Sequence, residues 1–239
     1  MKYRLLIFDW DGTLMDSEAR IVACMEAACT DLKLPRPGKA AVRNIIGLGL
    51  EEAVHALFPK EHPTTHRRLV ERYRHHFLVA DTTPSPLFPG VHTMLEELER
   101  HGYWLAIATG KGRAGLRKVL QESGLEKRFL ATRCADETAS KPNPSMIHEL
   151  LDELGVEAEQ ALMIGDTEYD LQMARNAGTR ALAVSYGVHS RERLLQYRPV
   201  ACVDSIGELH EWLLTPHSPP AKNTGLGNGN VEAPFSSRK

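Results

Sequence analysis

The sequence predicts an α/β fold: a parallel-sheet core with a block of helices inserted after the first strand. Three observations lead there. Short apolar runs alternate with helix-period segments through most of the chain, the pattern of βα units. Four chemically distinctive segments stand at or just after the ends of such runs, where an open parallel sheet binds its ligands. The stretch from about Asp16 to Pro86 carries no convincing strand and reads as helices only.

The elements follow in order. Arg4–Phe8 is the first strand, four of its residues apolar in succession. Helical pieces over 21–32, 50–58 and 66–79 come next, separated by Pro35-Arg36-Pro37 and by Pro59 and Pro63. Pro84, Pro86 and Pro89 make a stiff return to the core. Val91, Met94, Leu95 and Leu98 recur at helical spacing, and Gly102 is the stop. The strand 103–108 runs into Thr109-Gly110-Lys111, and a helix over 113–123 ends at Gly124. A weaker strand spans 129–134; Pro144 opens the next helix and Gly155 closes it. Strand 161–164 runs into Gly165-Asp166, and helix 169–176 is stopped by Gly178. Strands 181–184 and 201–203 and a helix over 206–214 complete the core. The expected division is therefore a core of 1–15 and 87–215, a helical insert of 16–86 and a disordered tail of 216–239 rich in Pro, Gly, Asn and Ser. The insert leaves the core beside Asp9 and Asp11, a position that suits a lid.

Composition narrows the function. The 239 residues include 42% apolar and 25% charged, enough for a proper core. A formal net charge of −2 presents no basic field to nucleic acid and no polybasic segment to a membrane. No apolar stretch reaches membrane-span length, and Asp9 interrupts the first apolar run too early for a signal peptide. The four cysteines form no CxxC pair or zinc pattern, and the eleven histidines lack metal-ligand spacing. Free thiols in a reducing cytoplasm are expected.

The chemistry concentrates in four segments. Asp9-Trp10-Asp11-Gly12-Thr13 ends the first strand. In extended chain both acids lie on one side, where they repel unless a cation or proton relieves them. Asp9 suits a nucleophile toward phosphorus, and Asp11 a general acid, then base. Thr109 and Gly110 offer a hydroxyl and an amide to a phosphate oxygen; a plain helix cap is the other reading. Lys141, in Ser140-Lys141-Pro142, stands near a helix start, where the dipole disfavours a cation unless an anion is bound. Asp166 and Asp170, in Gly165-Asp166-Thr167-Glu168-Tyr169-Asp170, recur at a strand end. Asp166 suits a direct oxygen ligand of Mg²⁺ or a helix cap. Asp170 suits a partner of Lys141 or of a metal-bound water.

With these residues in view, the chain resembles the haloacid dehalogenase superfamily of phosphohydrolases. FDWDGT, the threonine of IATGK, the lysine of ASKPNP, and GDTEYD match its four motifs in order, over residues 1 to about 215. The resemblance implies a Rossmann-like core with a helical cap after the first strand. It implies Mg²⁺ held by Asp9, the backbone carbonyl of Asp11, and Asp166. It gives Thr109 and Lys141 to the phosphate and leaves Asp170 as a supporting acid. Segments 11–17, 42–54 and 86–91 resemble the phosphoglycolate phosphatase branch, which would put Arg43, Gly47, Leu48 and Gly49 in a substrate-facing cap loop. The expected substrate is a small phosphorylated metabolite, phosphoglycolate or a sugar phosphate, and the expected state a monomer or weak homodimer. A phosphomutase of the β-phosphoglucomutase type would share every catalytic residue, and a non-catalytic phosphate-binding protein is the alternative of another class. Asp11 argues against a dehalogenase, and the insert lysines Lys33, Lys39 and Lys60 lack the context a phosphonatase needs.

Overall fold

The computed structural model describes residues 3–215; the tail expected to be disordered lies outside the described residues. Six strands form one parallel sheet: β1 (Leu5–Phe8), β2 (Trp104–Thr109), β3 (Ala131–Cys134), β4 (Ala161–Gly165), β5 (Arg180–Val184) and β6 (Cys202–Val203). Their order is β3-β2-β1-β4-β5-β6. The chain builds outward from β1 in one direction and, through β4, in the other. This doubly wound order opens a crevice at the carboxyl ends of the central strands. Register makes those ends level: Phe8 pairs with Ile107 of β2 and with Ile164 of β4.

Alternation sends each central strand to both faces. Leu6, Phe8, Leu105, Ile107, Leu162 and Ile164 bury on one side, against helices α5 (Val91–Arg100), α6 (Arg113–Ser123) and α10 (Ile206–Leu214). Leu5, Ile7, Ala106, Ala108 and Met163 bury on the other, against α7 (Ser145–Leu154) and α8 (Glu168–Asn176). Burial on both faces explains why these strands are nearly continuous apolar runs. A short helix α9 (Arg191–Leu195) precedes β6.

Between β1 and α5 lie only helices: α1 (Glu18–Asp31), α2 (Lys39–Ile45), α3 (Leu50–Leu57) and α4 (Pro63–His75), the last continued by a π-helical turn over His76–Ala80. They share an apolar cluster of their own, to which α1 gives Ile21, Met25, Ala28 and Cys29 at helical spacing. The chain enters and leaves this block side by side, Asp16 N donating to Pro86 O at 2.8 Å and Phe88 N to Leu14 O at 3.0 Å.

Three features of the insert differ from expectation. Helix α1 begins at Glu18 rather than Ile21, because its first turn is polar and carries no apolar period. Pro63 does not separate helices but opens α4, where the missing N–H costs nothing and His62 accepts from Thr64 N. Helix α2, seven residues between Gly38 and the Gly47-Leu48-Gly49 loop, was not anticipated at all.

Candidate active site

Asp9 follows β1 directly, and its N–H donates to Ile164 O at 2.9 Å, which keeps the chain extended one residue past the strand. Asp9 and Asp11 consequently line the same cavity, while Trp10 between them is buried in the core. Gly12 then turns at φ +81°, and a Cβ there would overlap the carboxylate of Asp166. Only glycine lets the two loops close on each other here.

The centre is an ionic cluster without solvent access. Lys141 Nζ donates to Asp9 Oδ1 and to Asp170 Oδ1, each at 2.6 Å, and all three side chains are buried. Asp170 is held in turn by its own helix: Thr167 caps α8, and its N–H and hydroxyl donate to Asp170 Oδ2 at 3.1 and 2.7 Å. The cap of α8 is thus Thr167, not Asp166, and of the two partners expected for Asp170 the structure shows Lys141. Asp166 instead accepts from Thr13 Oγ1 at 3.0 Å and from Val188 N at 2.8 Å.

Three clustered carboxylates have one ammonium among them, paired with Asp9 and Asp170, and the balance shows in their proton affinities. Burial lifts Asp9 to about 7; Lys141 works against this, and Asp170 adds to it. Burial, with the charges of Asp9 and Asp170, holds Asp166 well above the ordinary carboxylate range. Burial opposes the charge of Lys141 as well, but Asp170 and Asp9 outweigh it and raise the ammonium above the usual lysine value. Oxygens of Asp9, Asp166 and Asp170 lie within 4.8 Å of one another, and Asp9 Oδ2 is buried with no hydrogen-bond partner. An orphaned carboxylate oxygen among excess negative charge is what a hard divalent cation satisfies. The residues therefore fit such an ion.

Asp11 stands apart from that cluster. Ser17 Oγ donates to its Oδ1 at 2.6 Å, and Lys111 Nζ lies 3.0 Å from its Oδ2. Lys111 also lies 4.2 Å from the ring centroid of Phe77, in the π-helical turn. Thr109 is buried at the end of β2 and accepts from Lys111 N at 3.2 Å. Helix α6 starts only at Arg113, so Thr109 closes β2 and Gly110 opens the loop after it, and neither stands at a helix start. A Cβ on Gly110 would overlap the carbonyl of Leu48, so the insert's loop passes directly over this backbone. The insert meets the core elsewhere too: Gly49 N donates to Ser140 Oγ at 2.7 Å, Arg43 Nη2 to Val188 O at 3.1 Å, and Tyr169 Oη to Asn44 O at 2.8 Å.

Asp9, Asp11, Thr109, Gly110, Lys141, Asp166 and Asp170 thus gather at one crevice, and Gly47 and Leu48 line its cavity; Arg43, expected in the same loop, lies in α2 and pairs with Glu18 and donates to Val188 O instead. Lys111, Thr13, Ser17 and Thr167 join them unforeseen. Thr13 and Thr167 lie inside the acidic segments and were readable as loop hydroxyls; the contact of Lys111 with Asp11 spans a hundred residues and leaves no local signal.

The family of haloacid dehalogenase-like hydrolases matches residues 6–184. The protein named "Probable phosphatase IndB" of Dickeya dadantii is 36% identical over 211 residues, covering 86% of this chain and 91% of that one. A phosphoglycolate phosphatase of Rhodospirillum rubrum is 30% identical over 220 residues, covering 88% and 90%. A solved structure of a haloacid dehalogenase-like family hydrolase from Streptococcus pneumoniae has a TM-score of 0.78 at 26% identity, covering 89% of this chain and 99% of that one. With the sheet order and the acidic crevice, these matches establish that the chain belongs to the haloacid dehalogenase-like hydrolases and is an enzyme of that family.

Proposed function

We propose that the protein is a Mg²⁺-dependent phosphatase of small phosphate monoesters, phosphoglycolate or a sugar phosphate among them, working through a phosphorylated Asp9. One observation carries the reading above the rest: a buried nucleophile-type oxygen, Asp9 Oδ2, without a partner beside Lys141 at the floor of a cavity. Asp9, Asp166 and the carbonyl of Asp11 would hold the metal, with Asp170 supporting through Lys141. Bound there, Mg²⁺ supplies positive charge against the phosphoryl oxygens. Thr109, the amide of Gly110 and Lys141 contribute donors to the same oxygens.

Asp9 attacks phosphorus, and the bond from phosphorus to the ester oxygen breaks. Asp11 gives its proton to that departing oxygen, which leaves as an alcohol. Asp11, now a carboxylate, takes a proton from water as the water attacks the phosphoryl-aspartate, and Asp9 is released with inorganic phosphate. Residues 16–86 act as a cap over a core of 1–15 and 87–215; the contacts of Gly49, Arg43 and Asn44 with the core support this. Among the described residues no helix is long and apolar enough to cross a membrane. All four cysteines are unpaired, which suits the cytoplasm.

Release of phosphate from p-nitrophenyl phosphate, with and without Mg²⁺, tests the reading. Wild type turns over only with metal, and Asp9→Asn falls by about a thousandfold or more. Phosphate appearing free in solution, rather than on a second hydroxyl, separates hydrolysis from mutase chemistry. Equal turnover by Asp9→Asn overturns the proposal.

A further inference from the structure

The cavity above Asp9 and Asp11 has a volume of about 500 Å³. It is far roomier than a phosphate group with a two-carbon acid attached. Its upper wall comes from the insert and is mostly aliphatic or aromatic: Met25, Ile45, Leu48, Phe77 and Leu78 face Ala114 across the space. These side chains cannot solvate a charge.

The charged lining points the same way. Among the described residues only two cations line this cavity, Lys111 and Arg74. Lys111 is committed: its ammonium is paired with Asp11, lies on the ring of Phe77, and its side chain is 7% exposed. Arg74 is exposed, where a guanidinium is screened by water and weak as an anchor. Against them stand four acids besides the two on the floor. Glu51 and Glu52 occupy the first turn of α3. Asp136 and Glu137 are already occupied by Arg113, whose N–H donates to Asp136 Oδ1 at 2.9 Å and whose Nε donates to Glu137 Oε1 at 2.7 Å. A second carboxylate on the substrate would therefore meet an apolar wall and no free buried cation; Glu51 and Glu52 are exposed, and water screens them as it does Arg74.

We infer that the substrates of this site are phosphate monoesters of uncharged alcohols with a ring-sized body and an apolar face, and that carboxylate-bearing esters such as phosphoglycolate are discriminated against. The inference rests on the phosphatase reading given above and narrows it. The phosphate end is served by Asp9, Thr109 and Lys141. The body of the leaving group packs on Leu48 and Leu78, both half-buried at the cavity wall, excluding water from the phosphorus. Hydroxyls on its other face reach the glutamates of α3 as hydrogen-bond donors, which carboxylates accept well. Leu48 is thereby a specificity-determining residue, held in place because its carbonyl rests on Gly110.

The test compares kcat/KM for four aliphatic esters with the Mg²⁺-loaded full chain: glucose 6-phosphate and cyclohexylmethyl phosphate, both uncharged beyond the phosphate, phosphoglycolate, and phosphoethanolamine. The uncharged ring esters should exceed phosphoglycolate by about tenfold or more, the scale on which a pocket discriminates by fit and charge. Leu48→Lys should move the ratio of phosphoglycolate to cyclohexylmethyl phosphate by about tenfold toward the acid. Because a ratio is read within one preparation, partial misfolding does not imitate the shift. Phosphoglycolate or phosphoethanolamine as the best substrate overturns the inference while leaving the phosphatase reading intact. Absence of Mg²⁺-dependent turnover of every ester, p-nitrophenyl phosphate included, overturns both.

Discussion

Lys141 and Lys111 are two buried or nearly buried lysines with different tasks, and their replacement should separate them. Lys141 neutralises Asp9 and Asp170 at 2.6 Å each. Lys141→Met leaves three buried carboxylates with no cation. The expected loss is about 3–5 kcal/mol of stability, the usual cost of removing one partner of a buried pair, together with all measurable turnover. Urea unfolding read by circular dichroism checks the first and phosphate release the second; a variant of wild-type stability would contradict the ionic account. Lys111 instead orients Asp11, which must reach the leaving oxygen. Lys111→Met should lower kcat by about 10²-fold, the scale of general acid–base catalysis, and change KM little. A large rise in KM at unchanged kcat would mean that Lys111 holds substrate, not Asp11. At this scale the sequence was half legible. Acids and a lysine at strand ends are conspicuous because charge does not belong at the buried end of an apolar run. The role of Lys111 was hidden because the pairing that defines it exists only once β1 and β2 lie side by side.

At the level of elements, what could be read depended on whether a boundary is set locally. Helices α6 and α10 begin and end where the sequence predicts, Gly124 closing the first in the left-handed conformation and Ser205 capping the second. Helix α2 has neither an acidic first turn nor a side-chain cap, and its buried residues are only Val42 and Ile45. So short a segment is helical because tertiary packing holds it there. The same dependence on packing makes the loop after α2 a sensitive point. Gly110→Val places a side chain where the carbonyl of Leu48 sits, so the loop must move away from the core. The core strands are untouched, and global stability should fall by only about 1 kcal/mol, near the middle of ordinary point substitutions. Catalysis should suffer more, with kcat/KM for p-nitrophenyl phosphate down about 10²-fold, as for a small misplacement near the chemistry. Limited proteolysis should cut the insert faster than in wild type. Wild-type kinetics in this variant would show that closure of the loop over Gly110 has no part in turnover.

Across the whole molecule, the two halves of the sheet bring Asp9 and Asp166 together from β1 and β4, so folding itself assembles a cluster richer in negative charge than the protein can neutralise. That excess predicts how stability responds to pH and metal. In the fold Asp9 keeps its proton up to about pH 7, because burial, only partly opposed by Lys141, disfavours its charge; in the unfolded chain it loses the proton near pH 4. Between those values the native state binds more protons than the unfolded one, so stability falls as pH rises. The contribution is fully present below about pH 4 and is lost as pH passes 7. Asp166, raised in the same direction, acts in the same sense. His189 acts in the opposite sense, since burial holds its ring below the ordinary histidine value; comparison with Asp9→Asn therefore isolates the carboxylate. Mg²⁺ competes with these protons, and its stabilisation should grow with pH. Without metal, the melting temperature of wild type should fall more steeply between about pH 5 and 8 than that of Asp9→Asn. Added Mg²⁺ should raise the wild-type value by several degrees at pH 8, where about 1 kcal/mol corresponds to 2–4 °C in a protein of this size, and by much less at pH 5. A Mg²⁺ increment equal at both pH values, or larger at pH 5, would show that the ion does not replace protons on Asp9 and Asp166.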